Sequence, residues 1–181
     1  AFNPVVTLLE RAFGAISTAE AGTLIGAQLV GGTVGAVVAN LMFGLGAVSI
    51  ATHDRSGGGQ WLGEVIATLG LLLVVFGAVR SGRGHAVAYA VGSYIAAAYW
   101  FTSSTSFANP AVTVARMLSD TFAGIAPASV PMFVLMQLVG GVLGFALLKL
   151  LYPDPAGLAA DLSAEPATPR SSLRPSQSRR A

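Results

Sequence analysis

The feature that most constrains this chain is an apolar stretch from Ala21 to Phe43 that carries no charge at all. A helix rises about 1.5 Å per residue, so a stretch of this length crosses the roughly 30 Å hydrocarbon core of a bilayer. Three further stretches have the composition of a span. They run from Trp61 to Val79, from after His85 to about Phe101, and from about Ser129 to Leu151. We therefore predict an integral membrane protein with four spanning helices.

The scarcity of charge supports this prediction. Only 10% of the 181 residues are charged and 54% are hydrophobic, whereas a soluble domain carries about 25% charged residues. Seven of the 10 basic and 8 acidic residues follow Pro153. This distribution excludes an ordinary water-soluble fold, a nucleic-acid-binding domain and a disordered chain. The chain has no cysteine, which excludes disulfides, thiolate metal ligands and a thiol nucleophile.

The arginines predict how the chain is oriented. Arg80 and Arg83 lie between the second and third spans, and four more arginines follow the fourth span. The loop of residues 45–60 has one arginine, Arg55, beside an aspartate. Because Lys and Arg accumulate in cytoplasmic loops, we expect the 80–85 loop and the C-terminus in the cytoplasm. Residues 153–181 are rich in Ser, Pro and Arg, and we expect them to form a disordered tail.

Two motifs occur twice, in the same order. The sequence Asn-Pro-Val-Val-Thr starting at Asn3 matches Asn-Pro-Ala-Val-Thr starting at Asn109, and Gln-Leu-Val-Gly-Gly occurs at both Gln28 and Gln137. The Asn-Pro segments are too short to span a bilayer, so we predict re-entrant half-helices. Two spans precede the second copy and only two residues precede the first. We therefore expect two spans of the first copy to be missing, and an odd number of spans per copy inverts one copy relative to the other.

The chemistry of the Asn-Pro motif favours a site for neutral solutes. Asn is a strong N-cap, and Pro suits the first helical turn because it has no N–H to lose. Two half-helices with opposed N-termini present partial positive charges and amide donors, which accept a solute oxygen and repel cations. We expect Asn3 and Asn109 to be those donors. The alternative is that each Asn-Pro merely starts a surface helix.

Paired Asn-Pro half-helices about a hundred residues apart, each followed by a glycine-rich span, resemble the aquaporin or major intrinsic protein family over residues 1–152. The resemblance implies an all-α membrane protein with an aquaporin-like inverted repeat and four of the usual six spans. It implies a multi-pass channel in a bacterial-type inner membrane with a cytoplasmic C-terminus. It also implies no cofactor, no nucleic-acid partner and, for a complete chain, a homotetramer. The motif residues it assigns are Asn3, Pro4, Val5, Asn109, Pro110 and Ala111.

The predicted selectivity constriction departs from most of the family. An arginine follows Asn-Pro-Ala in water-selective and most glycerol-conducting members, whereas this chain has Val112. The same alignment assigns Ser106 and Ala97 to the constriction. Small residues there imply a wide opening, similar to arsenic-resistance-associated bacterial members that pass undissociated arsenous acid and glycerol-like solutes. Arg116 follows Val112 by one helical turn; it either places a guanidinium near the mouth or pairs with Asp120.

Three polar residues within the spans are expected to support the half-helices. Glu64 resembles a buried acid that the family uses to hold the half-helix loops. Gln28 and Gln137 are expected to hydrogen-bond across helices or to those loops, because an unpaired amide in lipid is costly.

Two alternatives to a channel stay open from the sequence. In the first, the chain is a truncated remnant that inserts and associates but forms no complete pore, since four spans leave one flank of the first half-helix facing lipid. In the second, the chain is half of a secondary transporter; this is the weaker alternative, because Glu64 is the one intramembrane acid or base available for ion coupling. No catalytic set or metal-ligand spacing indicates an enzyme.

Overall fold

The computed structural model describes residues 1–153 together with residues 157, 160 and 162, and across these residues the chain is helical without a β-strand. The α-helices of this part of the chain are α1 (Pro4–Ala12), α2 (Thr18–Met42), α3 (Gly58–Arg80), α4 (Val87–Phe101), α5 (Pro110–Ala115) and α6 (Val130–Leu151). Most of the tail predicted to be disordered lies outside the described residues.

Three of the four predicted spans form helices that are long and apolar enough to cross a membrane: Thr18–Met42, Gly58–Arg80 and Pro127–Leu151. The remaining one, α4, has only 15 residues. It begins after His85 and ends at Phe101, as the sequence predicted. Gly82 in the preceding loop has a positive φ of 69°, and a 3-10 turn over Gly84–Ala86 leads into the helix. The turn and α4 together rise roughly 28 Å, close to the thickness of the hydrocarbon core.

The two Asn-Pro segments form short helices, as predicted for half-helices. The Asn3 side chain accepts a hydrogen bond from the Val5 N–H, and the Asn109 side chain accepts from Ala111 and Val112. A proline occupies the first turn of each helix, where a missing N–H costs nothing. After α5 the chain tightens into a 3-10 turn over Arg116–Leu118, which ends the second half-helix after fewer residues than the first.

The glycine-rich helices α2 and α6 each pack against both half-helices. Gly32 on α2 lies against the backbone of Ala111 in α5, and Gly141 on α6 lies against the Val5 side chain of α1. These two glycines occupy equivalent positions in the repeated Gln-Leu-Val-Gly-Gly motif. The absence of a Cβ at these positions lets each span approach the half-helix of the other repeat, which brings the two repeats together at the centre.

Helix α3 packs most extensively on α6. Gly140 faces the backbone of Val65, and Gly144 faces Leu72. A buried cluster that includes Phe13 and Phe76 joins α1, α3 and α6. In contrast, α2 exposes large apolar side chains along its length among the described residues, including Val30 and Val34.

The loop of residues 43–57 runs along the segment that follows α5. The Ala51 N–H donates to the Met117 carbonyl, and the Ala126 N–H donates to the His53 carbonyl. Asp120 accepts hydrogen bonds from the Thr52 backbone N–H and hydroxyl. These contacts place the loop at the end of the molecule toward which α5 points.

Candidate functional site

The two half-helices meet tip to tip through a reciprocal pair of hydrogen bonds. The Asn3 side-chain amide donates to the Ala108 carbonyl at 2.6 Å, and the Asn109 amide donates to the Phe2 carbonyl at 3.0 Å. Each asparagine therefore binds the residue that precedes the other asparagine. Because Asn and Pro start both helices at this point, the two positive helix ends face each other at the junction.

A second pair of hydrogen bonds repeats the symmetry. Gln28 donates to the Thr7 hydroxyl at 2.9 Å, and Gln137 donates to the Thr113 hydroxyl at 2.8 Å. Thr7 and Thr113 are fully buried and occupy the last position of the repeated Asn-Pro motif. The two glutamines thus tie each half-helix to the glycine-rich span of its own repeat.

Glu64 is fully buried in α3 and holds the loop that leads into α5. Its two carboxylate oxygens accept from the N–H groups of Phe107 and Ala108 at 2.9 Å each, and one also accepts from Gln137 at 2.6 Å. Hydrogen bonds from backbone N–H groups to a carboxylate are charge-assisted and about twice as strong as neutral ones. Glu64 therefore fixes the start of the second half-helix.

The loop held by Glu64 has an unusual backbone. Thr105, Ser106 and Ala108 have positive φ values of 62°, 45° and 48°. Each such non-glycine residue costs about 1–3 kcal/mol and persists only where its surroundings over-determine it. The loop is correspondingly held from several sides, and this strained conformation sets which side chains face the interior.

Arg55, which the sequence indicated only as a charge in an external loop, is a further support of this strained segment. Its side chain is 2% exposed. It donates to the carbonyl of Ser104 at 3.0 Å and to the Thr105 hydroxyl at 3.2 Å. The sequence signal was a single arginine in a loop with few other charges, which is too weak to distinguish a buried structural role from a solvated one.

A cavity of about 990 Å³ runs past the junction of the half-helices. Asn3 and Asn109 line it near the middle. Glu10 and Arg116 also line it, each about two helical turns from the asparagine of its own half-helix. Because the half-helices point away from each other, Glu10 and Arg116 mark opposite ends of the cavity.

The wall opposite the half-helices is mostly apolar. Its residues come from α3 and α4 and include Leu71, Val75, Val79, Val91 and Ile95. The polar groups are concentrated along the half-helix side, so the cavity has one polar track facing an apolar surface.

Two of the three predicted constriction residues line this cavity. Ser106 and Val112 do, whereas Ala97 is exposed and does not. The α4 residues nearest to Ala97 that line the cavity are Ile95 and Tyr99. Ala97 is two residues from each, and two residues on a helix turn through about 200°, so its side chain points away.

Arg116 was expected either to lie near the mouth or to pair with Asp120, and the structure places it on the lining of the cavity. Asp120 accepts from Thr52, and within residues 1–153 the structure forms no ion pair between Arg116 and Asp120. Arg116 is therefore a solvent-exposed cation on the lining of the cavity.

The fold and the junction define a class: a helical membrane protein in which two half-helices meet tip to tip beside a cavity. The family model "Major intrinsic protein" matches residues 81–173, which is about half of the chain. The chain is 42% identical over 150 residues to "Aquaglyceroporin AqpS" of Rhizobium meliloti (strain 1021), a match that covers 83% of this chain and 64% of that protein. This chain belongs to the major intrinsic protein family. It spans less than two thirds of the length of that relative, and no solved structure matches it significantly.

Proposed function

We propose that this protein is a passive transmembrane channel for water and small neutral solutes, with glycerol-like polyols and undissociated arsenous acid as its larger permeants. The observation that carries the proposal is the continuous cavity that passes both half-helix asparagines. The similarity to a protein named as an aquaglyceroporin points the same way.

The polar track suits a hydroxyl-bearing solute. Each asparagine uses one amide N–H for the carbonyl of the opposite loop, and an amide group has two donors. Within the described residues the second N–H of each has no acceptor, which leaves it available to a passing oxygen. The Ser106 hydroxyl lines the same cavity, is buried and has no hydrogen-bond partner among the described residues. A solute hydroxyl compensates such an orphaned group, whose desolvation otherwise costs about 1–3 kcal/mol.

The opening beside this track is suited to solutes larger than water. Val112 and Ser106 present short side chains to the cavity, and the opposite wall offers apolar surface to the carbon backbone of a polyol. Water gains no dedicated charged partner at this point. We therefore assign selectivity to the polar track and the apolar wall together, with Val112 as the residue that keeps the passage wide.

The setting follows from the family and is part of the same proposal. The chain functions in a bilayer of bacterial inner-membrane type, with the C-terminus and the Arg80–Arg83 loop in the cytoplasm, and assembles as a homotetramer. No cofactor or ion gradient takes part in transport.

The test is solute flux into proteoliposomes that contain the purified chain. We expect glycerol and arsenous acid permeability above that of protein-free vesicles, without dependence on proton or sodium gradients. Val112→Arg should lower glycerol permeability at least about tenfold by filling the opening, whereas Val112→Ile, which adds one methylene without charge, should change it little. Gradient-dependent flux would instead indicate a secondary transporter.

The second candidate is a membrane protein that inserts and associates without conducting. The observation that favours it is the exposed apolar face of α2, which no described segment covers. Vesicles that contain the correctly inserted chain but are no more permeable than protein-free vesicles would support this candidate and contradict the channel.

A further inference from the structure

Arg55 is a buried cation bound only by neutral groups among the described residues. Besides Ser104 and Thr105, its guanidinium donates to the carbonyls of Gly124 at 2.8 Å and Phe122 at 3.1 Å. It also lies over the Phe107 ring, 4.9 Å from the centroid. A charge taken out of water is normally paired with an opposite charge, because its desolvation is expensive. For Arg55, backbone carbonyl groups and the face of the Phe107 ring stabilise the charge instead of an opposite charge.

The charge on Arg55 persists despite this environment. Burial lowers the pKa of Arg55, and the nearby Glu64 carboxylate counteracts this effect. The guanidinium pKa is so far above neutrality that the group stays protonated in proteins. Arg55 is therefore a permanent positive charge in a fixed position.

That position lies directly behind the cavity wall. Arg55 contacts Thr105 and Phe107, and the chain from Thr105 to Phe107 lines the cavity. Only the loop of residues 105–107 therefore separates the charge of Arg55 from the cavity beside Ser106. Arg116 is exposed at the mouth and is screened by water and salt, whereas a buried charge is screened much less.

We propose that Arg55 is the residue that excludes cations at the Ser106–Val112 constriction. Its buried charge raises the electrostatic energy of a proton or alkali cation beside Ser106 and leaves neutral solutes unaffected. Through the bonds to Ser104 and Thr105 it also positions the strained loop. Arg55 therefore provides, from behind the wall, a positive charge at a site where Val112 provides none. This inference rests on the proposed channel function.

The experiment separates charge from hydrogen bonding. Proteoliposomes are prepared with the wild type, Arg55→Lys, Arg55→Met and Arg55→Gln, and both glycerol permeability and proton leak are measured, the latter with an enclosed pH-sensitive dye. Lys keeps the positive charge but loses the planar guanidinium with its several N–H donors, whereas Met and Gln lose both the charge and the guanidinium. Arg83→Gln, which removes an exposed charge from the Arg80–His85 loop, is the matched control.

We expect Arg55→Met and Arg55→Gln to raise the proton leak about tenfold while glycerol permeability is retained, and Arg55→Lys and Arg83→Gln to stay as tight as the wild type. Equal proton leak in the Lys variant and the neutral variants would overturn the inference. So would a Lys variant that folds when neither neutral variant does, because the charge would then serve folding. A wild type without glycerol flux would overturn the proposed function itself, and this inference with it.

Discussion

At the residue scale, the second half-helix depends on single polar side chains that reach its loop from other elements. Glu64 approaches from α3 and Arg55 from the loop of residues 43–57, and both bind backbone groups of the segment from Ser104 to Ala108. Opposite charges on opposite sides hold a segment that has three strained residues. The residues of the Asn-Pro motif therefore do not hold the second half-helix by themselves; Glu64 and Arg55 hold the loop that leads into it.

Glu64 provides a direct test of this account. Replacement by Gln exchanges one carboxylate oxygen for an NH₂ group that faces a backbone N–H, so one buried donor loses its acceptor. We predict that Glu64→Gln lowers the free energy of unfolding by about 2–4 kcal/mol. The measurement is thermal unfolding of the purified protein in detergent. Glu20→Gln, at the exposed N-terminus of α2, is the control and should change the midpoint little; equal effects of the two substitutions would contradict the role of Glu64.

A second residue-scale prediction concerns pH. The hydrogen bond from the Ser56 hydroxyl lowers the pKa of Asp54 the most, and the hydrogen bond from the Ser129 hydroxyl lowers it further. Because the folded-state pKa is below the unfolded value, the stabilisation is complete above about pH 4 and is lost as the pH falls through the folded pKa. The melting temperature of the wild type should therefore exceed that of Asp54→Asn at neutral pH, and the difference should close in acid. A difference in melting temperature that stays the same from neutral pH down to strong acid would refute this linkage.

Sequence reasoning was informative for residues inside repeated motifs and weak elsewhere. The Asn-Pro pair predicted both helix starts, because an N-cap and a first-turn proline are local signals. Ala97 was assigned by counting back from Asn109, and it lies off the cavity because it is two residues from both Ile95 and Tyr99 on α4. Arg55 was missed because its burial depends on a loop from a distant part of the chain.

At the element scale, glycine positions determine how closely the helices approach. A Cβ on Gly140 would lie 2.7 Å from the Val65 carbonyl oxygen, which belongs to the backbone of α3 and cannot move aside. Gly31 is the equivalent residue of the first repeat, and a Cβ there meets no atom within 4 Å. The same sequence motif therefore has different packing roles in the two copies.

This contrast gives a matched pair of substitutions. Gly140→Ala should destabilise the protein by about 1–3 kcal/mol, because α6 must shift away from α3. Gly31→Ala should leave stability unchanged or raise it slightly, since Ala is a better helix former than Gly. Both are measured as shifts in the unfolding midpoint in detergent. An equal loss in both variants would mean that α2 packs against a further segment at Gly31.

The elements themselves were largely predictable, with one exception. Apolar length predicted α2, α3 and α6, because a span has no other means of satisfying its backbone in lipid. Helix α4 was expected to span but reaches only 15 residues after its 3-10 turn. Its bounds match the predicted stretch, which was already shorter than the other three predicted spans.

At the scale of the whole molecule, the repeat is visible in the bonding pattern as well as in the sequence. Asn3 and Asn109 bond to each other's loops, and Gln28 and Gln137 bond to equivalent threonines. A cavity at the interface between two related halves is where inverted repeats place a transport site. We propose that neutral solutes pass this interface beside both asparagine amides.

The most direct test of that claim is the glycerol permeability of proteoliposomes containing the wild type, Asn3→Asp or Asn109→Asp. Asp caps a helix about as well as Asn, so each half-helix should still form, but each substitution replaces with a carboxylate both the N–H that binds the opposite loop and the N–H available to solute. The account predicts glycerol flux above protein-free vesicles for the wild type and a loss of at least about tenfold in each variant, since an acceptor replaces the donor that a solute hydroxyl needs. Wild-type flux that both aspartate variants retain in full would contradict it.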